Sequence, residues 1–421
     1  MIERYYLKAM KDIWGEKNYY RKWVEIEAAF LEVRGYGDLA REILSMDIEP
    51  EDVREGEKTS GHELNSFLEI LISGTESPDS GEIHKGLTSS DVMDTARVMQ
   101  MKESLRGVRE KLESVRDLLR RRALEYKDTV TCGRTHGQYA EPLSLGLKFA
   151  RWYAHASRNI QRIDEAGKRI LTGTISGAVG TYSLVTPEEE EKVLDILGLK
   201  PSPAPSQILP RDPFAEYLFI HALAARGAAE IALEIRLLSQ DGIKEAAEPF
   251  TEKQKGSSAM PHKKNPVICE RICGLARLVS SNVTAALENI ELWNERDISH
   301  SSNERLIIED SSSLTYYILE KLEFVLEGLE VNRENIDKAL EAAGPRLCSS
   351  AVLKLLLESG LRREEAYRKA QEVFMSGSTA EEIINTLVET PGLEEEALRE
   401  ALSPAGYLKN IDAVYGRLGL I

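Results

Sequence analysis

The sequence predicts an all-α fold, and three observations carry that expectation. Apolar residues recur in steps of three and four along most of the 421-residue chain, and strand-like alternation is scarce. Five stretches keep the helical period long enough to build a bundle. Polar segments rich in glycine, proline and hydroxyls separate them, as loops between helices do.

The elements follow in order. The first 90 residues read as shorter helices. A long helix is predicted after LTSSD, where Thr88, Ser89 and Ser90 are N-cap candidates and Asp91 and Asp94 suit a positive helix end. No proline interrupts until Pro142, and Val98, Met101, Leu105, Val108, Leu112, Val115 and Leu119 form a heptad seam. That is a helix of about 35 residues, roughly 50 Å, a length commoner in extended bundles than in compact monomers. Further helices are predicted over about 142–171 and 213–241. Another runs from Asn265 and Pro266 towards 292, with Asn as N-cap and Pro at N1. The fifth long one covers about 303–330, and the elements shorten again from about 335. GTISGAVGTYS (173–183) has three glycines but no preceding strand, so a close-packed turn is expected rather than a nucleotide fingerprint. Apolar faces on helices this long need partner chains, so an oligomer is expected.

Composition narrows the function. A net charge of -16 argues against general nucleic-acid binding but leaves room for an anionic small substrate in a local basic pocket. The opening MIERYYLKAMKDIW is charged and lacks the apolar core of a secretory signal, and no run of about 18 apolar residues exists. A cytoplasmic protein is expected. Cys132, Cys269, Cys273 and Cys348 fit no zinc spacing, and Cys269 and Cys273 read as packing thiols.

Chemistry concentrates in polar clusters. EIHKGLTSSD (82–91), TCGRTHGQ (131–138) and GSSAMPHKKNP (256–266) each precede a predicted long helix, whose free N–H groups suit carboxylates and phosphates. The last combines two adjacent hydroxyls, two lysines and an amide, without Walker spacing or metal ligands. On spacing alone it fits a capped surface loop as well as a carboxylate site. His136 lies among Arg134, Thr135 and Gln138, which strengthens a functional reading over a structural one. His62 has only Gly61 and Glu63 beside it, His84 reads most simply as part of a helix cap, and His155, His221 and His300 have no local case as catalysts. ERDISHSSNER (295–305) sets Arg296 and Arg305 around serines, which suits phosphate or carboxylate recognition and equally an ion-paired helix junction.

Together these blocks resemble the fumarase/aspartase superfamily, whose signature SSxMPxKxNP stands here at 257–266. The resemblance runs over essentially the whole chain. TSSD, MPHKKNP and RDISHSSNER point within it to the purine branch, which cleaves adenylosuccinate; carboxymuconate cycloisomerases are the nearest competitor and argininosuccinate lyases another. A third reading is an inactive scaffold on the same fold. The resemblance implies a three-domain all-α subunit, divided at 1–90, 91–340 and 341–421. Its long central five-helix bundle would assemble into the twenty-helix core of a homotetramer, with active sites shared between subunits. It implies a fumarate-releasing β-elimination on nucleotide substrates, with no metal and no cofactor. Ser257 would be the base, His136 the general acid, Glu270 the carboxylate orienting His136, and His62 a histidine that binds phosphate and assists. Lys263 and Asn265 would hold the carboxylate. Arg4, Tyr5, His84, Thr88, Ser89, Gln207, Arg296, Ser301 and Arg305 match substrate-contacting positions. One departure stands out: the family often has RHD where this chain has Gly61, His62 and Glu63, so the local contacts must differ and Glu63 must reach further than Asp.

Overall fold

The computed structural model describes residues 1–251 and 256–421. They divide into two compact units. One comprises Met1–Glu113, Arg158–Ala229 and Ile272–Lys321; the other comprises Ser114–Ser157, Glu230–Arg271 and Leu322–Ile421.

The chain opens with α1 (Lys8–Trp14), α2 (Glu16–Val33), α3 (Gly37–Leu44), α4 (Pro50–Ser60) and α5 (Glu63–Ser73). In the first unit α2 is their centre: Trp23 is fully buried and meets Tyr19, Tyr20 and Phe67 with ring centroids 5.0–5.1 Å apart. Then comes α6 (Ser89–Glu125), 37 residues long against the 35 expected. All seven seam residues are buried, none more than 3% exposed. The other long helices are α7 (Leu145–Ile170), α9 (Asp212–Leu238), α10 (Val267–Glu288) and α11 (Ser299–Glu327), with the short α8 (Pro187–Ile196) between α7 and α9. Polar contacts inside the first unit tie all five long helices together. Ser104 and Tyr217 share a hydroxyl bond of 2.6 Å between α6 and α9, and Arg109 holds Asp164 of α7. Cys273 of α10 reaches the Ala229 carbonyl, and Asn282 of α10 donates to Ser311 of α11. GTISGAVGTYS is indeed a tight turn, with Gly177 and Gly180 at positive φ. Its Ser176 and Gly177 N–H groups donate to Asp91.

The helix starts differ from the sequence reading in three places, each for a local reason. Asp91 and Asp94 do not act merely as charges at a helix end. Asp91 is buried and accepts N–H groups from Thr88, Ser176 and Gly177; Asp94 is ion-paired to Arg211. Asn265 does not cap α10. Its amide donates to the Gly256 carbonyl, and the cap comes from buried Glu248, whose carboxylate accepts Ile268 N–H at 3.1 Å and Cys269 N–H at 2.8 Å. Removing that carboxylate leaves two helix N–H groups without their acceptor. Glu248→Ala is therefore expected to cost about 1–3 kcal/mol, read as a lower thermal midpoint, and Glu248→Gln to recover part of it. An unchanged midpoint for the alanine variant would dismiss the cap.

The third difference concerns TCGRTHGQ. It does not lead into a helix; it forms β1 (Val130–Thr135), paired antiparallel with β2 (Gln138–Ser144). Pro142 lies in β2 opposite Cys132, so α7 starts only after Ser144, whose hydroxyl accepts the Leu147 N–H. Both strands are short, polar and bulged between Cys132 and Arg134, so the period of two is hard to see. The hairpin belongs to the second unit, with β3 (Ala246–Ala247), β4 (Glu330–Val331) and α12 (Arg333–Ala343) through α17 (Ile411–Arg417). Cys132 joins the core that Val352, Leu356, Ile383, Leu387 and Leu398 build there. The four cysteines are buried, and among the described residues none forms a disulfide.

Candidate active site

The second unit carries one group of site residues. Ser257 follows Gly256, where an added Cβ would lie 2.0 Å from the Lys263 carbonyl oxygen, so only glycine lets the loop fold back. The Asn265 amide closes the same loop onto the Gly256 carbonyl at 2.9 Å. Within it, Ser257 Oγ accepts N–H groups from Ala259 at 3.3 Å and Met260 at 3.1 Å. Donors aimed at a hydroxyl oxygen favour its anionic form. Lys264 sits over the Phe250 ring at 5.2 Å, while Lys263 is exposed.

His136 stands at the tip of the hairpin, where Thr135 pairs with Gln138. His136 and Gly137 form the two-residue turn with φ of 53° and 75°, the geometry of a type I′ turn. A non-glycine residue at positive φ is held there by its surroundings. Two residues back, Arg134 places both terminal nitrogens on buried Glu245 and lies over the Tyr139 ring at 5.2 Å, which fixes the hairpin stem. Glu270 lies in the first turn of α10 and is exposed, as is His136. Among the described residues no hydrogen bond joins the two within one chain.

The first unit carries the other group. Arg296 donates to Gln207 at 3.3 Å, and Arg305 pairs with Glu63 at 2.9 Å. Glu63 thus does reach a site residue: it joins Arg305 to the turn bearing exposed His62, and it accepts the Tyr20 hydroxyl as well. His84 also has positive φ, 60°, and both its N–H and its ring Nδ1 contact the fully buried Glu27 carboxylate. That contact, rather than a cap, explains its place. Thr88 precedes α6 and Ser89 begins it, both half-buried. Arg4 and Tyr5 share a short 3₁₀ turn, with Tyr5 edge-on to Tyr317 at 5.3 Å. Asp297 accepts the Trp293 and Ser299 N–H groups at 2.8 Å each, so it both closes the preceding turn and caps α11. Those bonds, with the Ser299 hydroxyl foremost, bring its pKa down to about 2.

Arg296, Ser301 and Arg305 line one narrow cleft, together with residues that sequence reasoning gave no role: Arg97, Arg211, His300 and Glu304. Arg211 is 3% exposed. Its guanidinium grips Asp94 through both terminal nitrogens, at 2.7 and 3.0 Å, and its Nε lies 3.1 Å from Glu304 Oε1, out of line for a hydrogen bond. Burial pushes Asp94 up, but Arg211 outweighs it and holds the carboxyl below its usual range. For Glu304 burial wins over the same guanidinium, and its pKa rises to about 7. Burial, then Arg211, lowers His300 to about 4. Nothing local in the sequence marks Arg211, whose two carboxylate partners are more than 90 positions away.

This geometry offers a hydroxyl with N–H donors, a neighbouring lysine and amide, a histidine on a rigid hairpin, and an arginine-lined cleft. A family model described as Lyase matches residues 7–281. The chain belongs to the fumarase/aspartase superfamily. As a superfamily member it is 40% identical over 430 residues to an adenylosuccinate lyase of Thermotoga maritima, covering 99% of each chain. It is 42% identical over 435 residues to an adenylosuccinate lyase of Aquifex aeolicus, again with 99% of each covered. Its fold is similar to the crystal structure of a fumarate lyase from Mesorhizobium, with a TM-score of 0.87, 26% identity, and 100% and 99% of the two chains covered.

Proposed function

We propose that the protein is a lyase that cleaves adenylosuccinate to AMP and fumarate, and succinylaminoimidazole carboxamide ribotide to aminoimidazole carboxamide ribotide and fumarate, in purine biosynthesis. The observation that carries this reading is full-length similarity, at 40–42% identity, to enzymes named adenylosuccinate lyase. A cycloisomerase or argininosuccinate lyase is not favoured by those relatives.

Ser257 removes a proton from the succinyl β-carbon. Its two loop N–H donors support the oxyanion it must become, and closure of the loop excludes water. The electron pair left on carbon delocalises into the adjoining carboxylate, where Lys263, Asn265 and loop N–H groups stabilise the doubly charged aci form. Preorganised donors of this kind contribute about 3–4 kcal/mol each. The C–N bond then breaks, and His136 protonates the departing nitrogen while Glu270 orients the ring. His62, Arg4, Tyr5, His84, Thr88, Ser89, Gln207, Arg296, Ser301 and Arg305 hold the substrate.

The protein works as a cytoplasmic homotetramer with active sites built from more than one subunit, and each subunit has three helical domains, 1–90, 91–340 and 341–421. Exposed Phe219, Leu237, Leu278, Leu287 and Leu306 on α9, α10 and α11 support assembly, because side chains of that size on long helices seek cover. The direct test is ultraviolet absorbance of purified protein with adenylosuccinate. AMP and fumarate should appear together; well-folded protein that releases no fumarate rules the reading out.

A further inference from the structure

The cleft beside Arg296, Ser301 and Arg305 contains one more carboxylate than its buried arginine can satisfy. Arg211 commits both terminal nitrogens to Asp94, and Glu304 faces only its poorly aligned Nε. The other groups around Glu304 do not complete it. Asn289, just after α10, reaches Glu304 Oε1 only at 3.5 Å and bonds Asn303 at 2.7 Å. Arg97 of α6 lies over the Tyr19 ring at 4.5 Å and bonds Gln100. On α11, His300 has a buried Nδ1 without a partner, and Arg305 is paired to Glu63. Arg296, ahead of α11, has a buried Nε that is likewise unpartnered. The cleft therefore holds three buried nitrogens without a hydrogen-bond partner, Arg211 Nε, Arg296 Nε and His300 Nδ1, and one buried carboxylate that no cation fully satisfies.

Counting charge sharpens this. Arg97, Arg211, Arg296 and Arg305 face Asp94, Glu304 and the Glu63 partner of Arg305, a balance of four against three. With Glu304 ionised the surplus is one positive charge; with Glu304 protonated it is two, which matches a phosphate dianion or a pair of carboxylates. An anion entering the cleft repels Glu304 and competes with it for Arg211, and at low dielectric a carboxylate so placed takes up a proton.

We propose that Glu304 is an affinity-determining residue of this cleft: an anionic group of the substrate binds together with a proton on Glu304, which releases Arg211 from its second carboxylate. The proposal rests on the nucleotide-lyase reading above. The burial that already lifts Glu304 to about 7 means that the proton is taken from solvent chiefly above neutral pH. One proton linked to binding changes affinity by up to about tenfold per pH unit.

The test is calorimetric titration of the intact wild-type protein and of Glu304→Gln with AMP at pH 8, in buffers of different ionisation enthalpy. The wild type should take up more protons per site than the variant, by a difference approaching one. Its affinity should also fall between pH 7.5 and 8.5 by severalfold more than that of the variant. Adenosine, which carries no anion, should bind without the extra proton; this comparison needs no variant and stands even if Glu304→Gln fails to fold. Extra uptake with AMP assigns the cleft to phosphate, and extra uptake with fumarate assigns it to carboxylate. Uptake with AMP and with fumarate that both equal that of adenosine, or equal uptake by wild type and variant with both anions, overturns the proposal. AMP and fumarate that do not bind at all overturn the functional reading and this inference with it, whereas both bound without the extra proton overturn the inference alone.

Discussion

Replacing Ser257 with alanine is expected to lower turnover of adenylosuccinate by about a thousandfold or more while substrate affinity changes little. The magnitude follows from the role: acid–base groups acting in the transition state typically supply about 10²- to 10⁴-fold, and no second hydroxyl can stand in unaided. Ser258 is adjacent but exposed, and the loop N–H groups of Ala259 and Met260 point at Ser257. The loop itself should survive, because its closure depends on Gly256 and the Asn265 amide rather than on the Ser257 side chain. Steady-state kinetics with size measurement of the oligomer separates the possibilities. A rate within a few-fold of wild type removes Ser257 from the chemistry; a lost rate together with a broken oligomer makes it a structural residue.

The second large effect is on stability. Arg211→Ala strands half-buried Asp94 and buried Glu304 without the guanidinium that lies between them. Deleting one partner of a buried ion pair commonly costs about 3–5 kcal/mol, because the remaining charge is left uncompensated. Arg211→Lys should recover only part of the loss, since an ammonium cannot grip Asp94 through two parallel bonds. The pH dependence has a definite sign. Asp94 has a depressed pKa in the folded protein, so its contribution is complete above the unfolded value of about 3.9 and disappears as the pH falls through the folded one. The gap between wild type and variant should thus be full at neutrality and narrow in acid. Chemical unfolding at pH 7 and well below pH 4 measures it, and a gap below about 1 kcal/mol at pH 7 contradicts the account.

Much of this molecule was legible in its sequence. The α6 seam is written in seven apolar residues at helical spacing, and local period is enough to bury a face. The signature loop was legible too, because glycine, hydroxyls, lysines and amide are contiguous. What stayed hidden depends on partners distant along the chain. Asn265 looks like a cap because capping is usually local, yet Glu248 takes that place from twenty residues upstream. TCGRTHGQ looks like a helix lead-in because its hairpin is only a few residues long and carries its glycines at a bulge and a turn. Arg211 shows no local signal, and Glu304 only its place in a polar cluster, since their meaning lies in a cleft assembled from four separate segments. Glu63 was expected to reach further than an aspartate would, but its partner Arg305, 242 positions away, could not be read from the sequence.

The hairpin tip sets a constraint on evolution that chemistry alone does not. At a φ of 53°, position 136 strongly disfavours β-branched residues and favours glycine, asparagine, aspartate and histidine over most others. Of those four, only histidine ordinarily changes charge between pH 5 and 8. A turn that favours histidine thus favours, at the same position, a side chain able to carry a proton near neutrality. The backbone narrows the search before catalysis ever tests the outcome.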